Sequence, residues 1–426
     1  MYINCRLLFS QLIENGDVKE EYQKMFDRKY DITQGPLWAG RLVRCSDAHP
    51  KSRFAKESQV FDVEDDIQFE DESQVPGEDF QTAMDSNYLD KKLNKHRFRY
   101  HLIFGCHHIA ADGYTIMRLY GIFMKMINDI LDKKNLDFQT QNFSLVDIRK
   151  EMELMREIKE NVENNPSQWK KVMQSYENFI SKKTSFLEAH PIPDPGPWTT
   201  SNLTHHLSEN TTKQFLKRCK HEGITFLSGF SYLTCLATKE MCFKAGIGND
   251  SFEISHTHVL DHRRYNDNGP NPFGTNTGYL NITSVLSSDN SHSFWSAARI
   301  YNSNFRKNID NHQSIRNDVF RQLFRPANFD VDLQFIHPVQ PWSYFTTSNM
   351  LDVTPVLGNI GDNVRVEWLH GGTSNHRSSL LVVHICHTLR GRLQYGINYS
   401  SQYVSSSTAR SLAQTIFRLM HKVIRI

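Results

Sequence analysis

An apolar, strand-like run from Phe98 to Phe104 and a helical pattern beginning near Tyr114 flank the segment Cys106-His107-His108-Ile109-Ala110-Ala111-Asp112-Gly113. This junction constrains the fold more than any other part of the chain. A strand that gives way to a helix over so short a link exposes side chains into a cleft, and the second histidine stands at that exchange. Acyl transfer needs a base that takes the nucleophile's proton as the new bond forms. An unperturbed imidazole, with a pKa of about 6.5, suits that task at neutral pH. His108 is therefore the candidate general base.

The rest of the segment supplies further parts. A tetrahedral intermediate needs a donor aimed at its oxyanion, and the N–H at a helix start, such as that of Gly113, is available without any side chain. Asp112 has three alternatives: to orient the imidazole, to pair with an arginine and lock the loop, or to cap the helix, since aspartate is a favoured N-cap. Zinc ligation by Cys106, His107, His108 and Asp112 is disfavoured. Adjacent residues of an extended segment point to opposite faces, and no second cluster completes four ligands. No metal is expected. A serine hydrolase is equally poorly supported, because Gly229-Phe230-Ser231 lacks the glycine frame of a nucleophile elbow.

Length and charge bound the remaining choices. The 426 residues suit two subdomains of roughly 200 residues each, both able to bury a core. The formal charge of +2 offers no electrostatic footprint for nucleic acid. No apolar stretch approaches the roughly 18 residues that span a bilayer, and Met1 to Ile13 lacks the features of a signal peptide. A cytoplasmic protein is expected. The seven cysteines are scattered, without a CxxC pair, and read as reduced, mostly buried thiols.

The N-terminal part, 1–189, carries a short helical pattern through Tyr22 and Met25, a Gly35-Pro36 turn and a strand at Ala39 to Val43. Within it, about 53–96, acidic residues and a Pro76-Gly77 break read as a surface insert. Helical spacing follows at Ile116, Leu119, Phe123, Ile127 and Ile130, whose stripe is expected to face the core, and again over Leu145 to Ser181. The alternate prolines of 190–200 mark a linker between subdomains. In 201–426 strands and helices alternate. Strands are expected near Asn202–Leu207, Phe252–Leu260, Tyr279–Leu286, Asp330–Phe335 and Val364–Leu369, with a hairpin over Ser379–His387 and Leu393–Tyr399. Helices are expected through Phe215, across Thr225–Phe243, around Phe294–Arg306 and Ile315–Phe324, and over Ala409–Val423.

His107-His108-x-x-x-Asp112-Gly113 resembles the HHxxxDG signature of the condensation-domain superfamily, which includes chloramphenicol acetyltransferase and the HxxxD acyltransferases. Further segments carry the likeness. Tyr30-Asp31-Ile32-Thr33-Gln34-Gly35-Pro36-Leu37 resembles the family's FDLxxGPL, and Val259-Leu260-Asp261-His262-Arg263-Arg264 with Gly278-Tyr279-Leu280-Asn281 is similar to its arginine-bearing strand and the G-[FY]-x-N beyond. Leu393 to Tyr399 and the last helix resemble its ending.

The resemblance implies an α/β sandwich architecture: two chloramphenicol-acetyltransferase-like subdomains in a V, with a tunnel between them. His108 would be the base there, and Asp112 a structural partner of Arg263. His107 would shape the loop. Thr346-Thr347-Ser348-Asn349-Met350 resembles the SNLG segment of stand-alone members, so Ser348 or Asn349 would face the oxyanion. The implied donor is acyl-CoA, a co-substrate rather than a bound cofactor, and the acceptor a small-molecule alcohol or amine. An acyl carrier protein as donor, with peptide-bond formation, is the alternative; a non-catalytic binding module of the same fold is a third. The family ordinarily has a strand and helix before the segment that Met1 begins, so a chain shortened at its N-terminus is expected. Carrier and adenylation motifs are lacking, which favours a free-standing enzyme.

Overall fold

The computed structural model describes residues 9–14, 17–31, 34–35, 37, 38–44, 100–136, 144–180, 184–192, 198–248, 251–267, 272–287, 293–323, 341, 343–357, 361–374 and 381–425. The acidic insert, the strand at Asp330–Phe335 and the prolines at 193, 195 and 197 lie outside the described residues.

A small sheet takes its strands from the first part of the chain. Strand β1 (Phe9–Glu14) runs parallel to β2 (Trp38–Arg44), with helix α1 (Val18–Phe26) between them, and β2 pairs antiparallel with β3 (Tyr100–Cys106). Pattern reading missed β1. Helix α2 (Gly113–Leu131) follows β3.

Two helices, α3 (Arg149–Glu163) and α4 (Pro166–Ile180), replace the single expected stretch. The break falls at Pro166, which lacks an N–H and is accommodated at a helix start. A short α5 (Ser185–Ala189) leads to the larger sheet.

That sheet has six strands in the order β5 (Thr200–His206), β11 (Arg392–Ser400), β10 (Val382–Leu389), β9 (Thr346–Asp352), β6 (Ser251–Asp261) and β8 (Thr277–Ser287). Only the β10–β9 and β9–β6 neighbours are parallel. A two-residue pairing of β4 (Ser144–Leu145) with β7 (Pro272–Phe273) joins the earlier part of the chain to the later part.

The two faces of the large sheet differ sharply. One carries Leu203, Tyr395, Ile397, Val382, Cys386 and Ile254 against α6 (Glu209–His221), α7 (Phe226–Lys244) and α11 (Ser406–Ile424), where Phe215, Phe230, Leu233 and Phe417 are fully buried. Each such side chain contributes roughly 1.5–3 kcal/mol. Helices α8 (Phe294–Asp310) and α9 (Gln313–Leu323) pack beside it along β8. By register, the other face carries Asn202, Asn398, Gln394, His387, Thr346, Ser348, Thr257 and Asn281. These pair among themselves, as in Asn202 Nδ2 to Asn398 Oδ1 (2.9 Å) and Thr257 Oγ1 to Asn281 Oδ1 (3.1 Å).

Residues 353–357 and 361–374 connect this polar face to α1 and α2. They start with the short α10 (Thr354–Leu357), where Val356 lies so close to Gly121 of α2 that a Cβ there would meet it at 2.8 Å. Asn128 of α2 then accepts the N–H groups of Asn363 and Val364 through Oδ1, and Ser374 donates to the carbonyl of Phe26. The strand expected at Val364–Leu369 does not form. Side chains from elsewhere take its backbone groups instead, as when Gln394 Oε1 accepts from Leu369 N.

This docking also corrects the core face of α2. Its buried residues are Thr115, Met117, Gly121 and Asn128, while Leu119 and Ile130 are 37% and 55% exposed. Among the described residues no helix is long and apolar enough to cross a membrane. The five described cysteines are free thiols, four of them buried.

Candidate active site

Strand β3 pairs with β2 along its whole length, ending at Cys106 opposite Trp38. His107 extends the pairing by one bond, its N–H donating to Leu37 O at 2.8 Å. The chain then turns. His107 Nδ1 accepts from Ile109 N at 3.2 Å, its carbonyl accepts from Ala110 N, and the Tyr30 ring meets its imidazole edge-on. The turn leaves His108 exposed, and among the described residues nothing hydrogen-bonds its imidazole. Only its carbonyl is held, by Thr275 Oγ1 at 2.5 Å.

Asp112 is fully buried and takes four donors. Arg263 Nη1 lies 2.6 Å from Oδ2 and Nη2 lies 3.2 Å from Oδ1; Asn276 N donates to Oδ2 at 3.0 Å. The fourth, Thr115 N at 3.0 Å, makes Asp112 the N-cap of α2 as well. Arginine pairing and helix capping therefore coexist, and no hydrogen bond joins Asp112 to His108 among the described residues. Burial pushes this carboxyl up, but Arg263 and the two backbone N–H groups outweigh it and hold it below the ordinary carboxylate range.

Arg263 sits on a short 3-10 turn, His262–Tyr265, directly after β6. Its guanidinium also donates to Asp261 Oδ1, Thr115 Oγ1 and Gly274 O, and lies 4.7 Å from the centre of the Tyr114 ring. The neighbouring His262 reaches the other way. Fully buried, it meets Glu151 of α3 through Nδ1 at 2.8 Å and Ser314 of α9 through Nε2 at 2.9 Å. Two consecutive residues thus tie the end of β6 to α2 and to α3.

His262, Glu151 and Asp318 also place ligand-type atoms within 4.8 Å of one another, the one such group among the described residues. Both imidazole nitrogens are already engaged. The cluster reads as a hydrogen-bonded tie.

Gly113 and Ser348 come together across the sheet. A Cβ on Gly113 would lie 3.0 Å from Met350 Cε, so the start of α2 rests on the inner face of β9. Ser348, two residues before Met350, shares that face, whereas Asn349 belongs to the opposite one and spends its Oδ1 on Leu351 N at 3.1 Å. Of the two oxyanion candidates, Ser348 is the one on the side of Gly113.

Pattern reading did not find Thr115, Glu151, His262, Thr275, Asn276 or Met350 as parts of this site. The available signal was the position of His262 and Met350 inside the family-like segments around Arg263 and Ser348.

No protein-family profile and no curated protein sequence matches the chain. Solved structures do. The condensation domain of the monacolin K polyketide synthase superposes with a TM-score of 0.56 at 11% identity, covering 97% of this chain and 79% of that one. The epimerization domain from the third module of tyrocidine synthetase B gives 0.52 at 13%, covering 97% and 78%. The chain has the fold of the condensation and acyltransferase superfamily. A trichothecene 15-O-acetyltransferase from Fusarium sporotrichioides also has this fold, with a TM-score of 0.52 at 13% identity; it covers 75% of this chain, which spans 66% of its length. Neighbours of the condensation and acyltransferase fold are two-lobed. At these identities the likeness concerns the fold, and the site is argued from its own geometry.

Proposed function

We propose that the chain is an acyltransferase that moves an acyl group from acyl-CoA to a hydroxyl or amine of a small molecule, by direct transfer with both substrates bound. The observation that carries this is an exposed imidazole, His108, on a turn held rigid from both sides by Asp112–Arg263 and by Thr275. A base so placed is free to meet an acceptor and does not wander.

In the step proposed, His108 takes the acceptor's proton while the acceptor oxygen or nitrogen attacks the thioester carbonyl. The resulting oxyanion is met by the N–H of Gly113 and the hydroxyl of Ser348. Collapse breaks the C–S bond, and the imidazolium returns the proton to the departing thiolate, giving free coenzyme A. No bound cofactor takes part, and a cytoplasmic setting belongs to the same reading.

A second reading, in which the thioester is carried by a separate carrier protein and an amide forms, uses the same base. Coverage of 97% of this chain by a condensation domain, against 75% by the acetyltransferase, supports testing it alongside.

The test is a thiol-release screen over acyl-CoA chain lengths with pooled alcohols and amines, run in parallel with carrier-linked thioesters. Release of thiol by the wild type that is lost in His108→Ala supports the assignment. Release that survives the substitution removes His108 as the base, and silence with both donor classes removes acyl transfer itself.

A further inference from the structure

Among the described residues, one cation of α2 is without a counter-charge. Arg118 stands one helical turn beyond Tyr114, with its Nη1 donating to Tyr114 Oη at 3.1 Å and its guanidinium carbon 5.7 Å from the ring centres of both Tyr114 and Phe273. Among the described residues no carboxylate pairs with it. Its Nε is buried and has no hydrogen-bond partner among them. The contrast with Arg263, which packs on the same tyrosine but is neutralised by Asp112 and Asp261, is direct.

A half-buried guanidinium without a counter-charge is costly to keep, and an anion supplies that charge. Because Nη1 is spent on the tyrosine and Nε is buried, Nη2 remains to donate to an oxygen of a phosphate. Tyr114, itself 40% exposed, accepts from Arg118 and so keeps its own O–H proton for a second oxygen. The position fits a substrate arm. Arg118 lies about 7.5 Å along the helix axis from Gly113, and the loop that puts Phe273 beside it also puts Thr275 on the carbonyl of His108.

We propose that Arg118, with Tyr114, binds a phosphate group of the thioester donor. That the donor is a phosphate-bearing thioester rests on the function proposed above; coenzyme A and a carrier protein's phosphopantetheine arm both supply such a group.

Calorimetric titration of the full chain with coenzyme A, 4′-phosphopantetheine and pantetheine, which has no phosphate, tests this without any turnover. In the wild type a phosphorylated ligand binds at least about tenfold more tightly than pantetheine. Arg118→Gln abolishes that gap and leaves pantetheine affinity unchanged, and Arg118→Lys restores part of it; thermal melts establish that both variants are folded. A gap with 4′-phosphopantetheine assigns the contact to the phosphate common to both donors. A gap with coenzyme A alone assigns it to the nucleotide phosphates and singles out coenzyme A. If the wild type shows no gap, or Arg118→Gln keeps it, the site is refuted. Acyl transfer without a gap removes the site and leaves the function; a gap without acyl transfer does the reverse.

Discussion

Arg263 Nη1 lies 2.6 Å from Asp112 Oδ2, a buried pair that joins the turn after β6 to the cap of α2 across 151 positions of sequence. Both charges are out of water, so neither tolerates loss of the other. Asp112→Ala should destabilise the fold by about 3–5 kcal/mol, because it leaves the arginine only the half-exposed Asp261 and strips the cap from α2. Replacing both residues with apolar ones of similar volume should recover much of that loss. Chemical denaturation of the single and double variants measures this, and a cost below about 1 kcal/mol for Asp112→Ala would show that the pair is solvated.

His108 invites the opposite outcome. Its ring is exposed and unbonded among the described residues, so His108→Ala should leave the melting temperature within about a degree or two of the wild type. Turnover, by contrast, should fall by roughly 10²–10⁴-fold, the usual scale of general-base catalysis. Parallel melts and thiol-release rates separate the two effects.

The contact of Gly113 with Met350 sets a graded steric test. Gly113→Ala brings a methyl to 3.0 Å from a flexible thioether end, which can move, so the cost should be about 1 kcal/mol. Gly113→Val should cost clearly more, and Met350→Ala should relieve it. Stability that responds to Gly113→Val identically with and without Met350 would mean that this contact does not govern the position.

Acid should loosen the fold well before carboxylates titrate. Burial holds His206, His256, His370 and His387 at about 4, and His205 and His384 at about 3, against an ordinary value of 6.5. These groups are neutral when folded but bind protons below about 6.5 when unfolded. Their stabilisation is therefore complete above that pH and is lost as pH falls toward 4, by up to about 1.4 kcal/mol per pH unit for each histidine. Melting temperatures from pH 8 to 4.5 should be flat at first and then drop; a flat profile down to pH 4.5 would contradict the burial.

The sequence by itself determined the strand–turn–helix around His108, because apolar alternation, helical spacing and a glycine at the junction are local signals that depend on no distant residue. The pairing of Asp112 with Arg263 was implied by the family resemblance, while the residues alone left the role of Asp112 open among three alternatives. The sequence could not show that Val364–Leu369 stays irregular, that β9 lies between β10 and β6, or that Leu119 and Ile130 turn outward. The irregular segment and the outward residues of α2 rest on Asn128, Gln394 and Val356, groups remote in sequence that capture backbone N–H groups or fill the space above Gly121, and the place of β9 rests on its ladders to β10 and β6. Likewise only tertiary packing put Ser348 on the side of Gly113 and left Arg118 without a carboxylate among the described residues, because the face of a strand and the neighbours of a charge are set by register and docking.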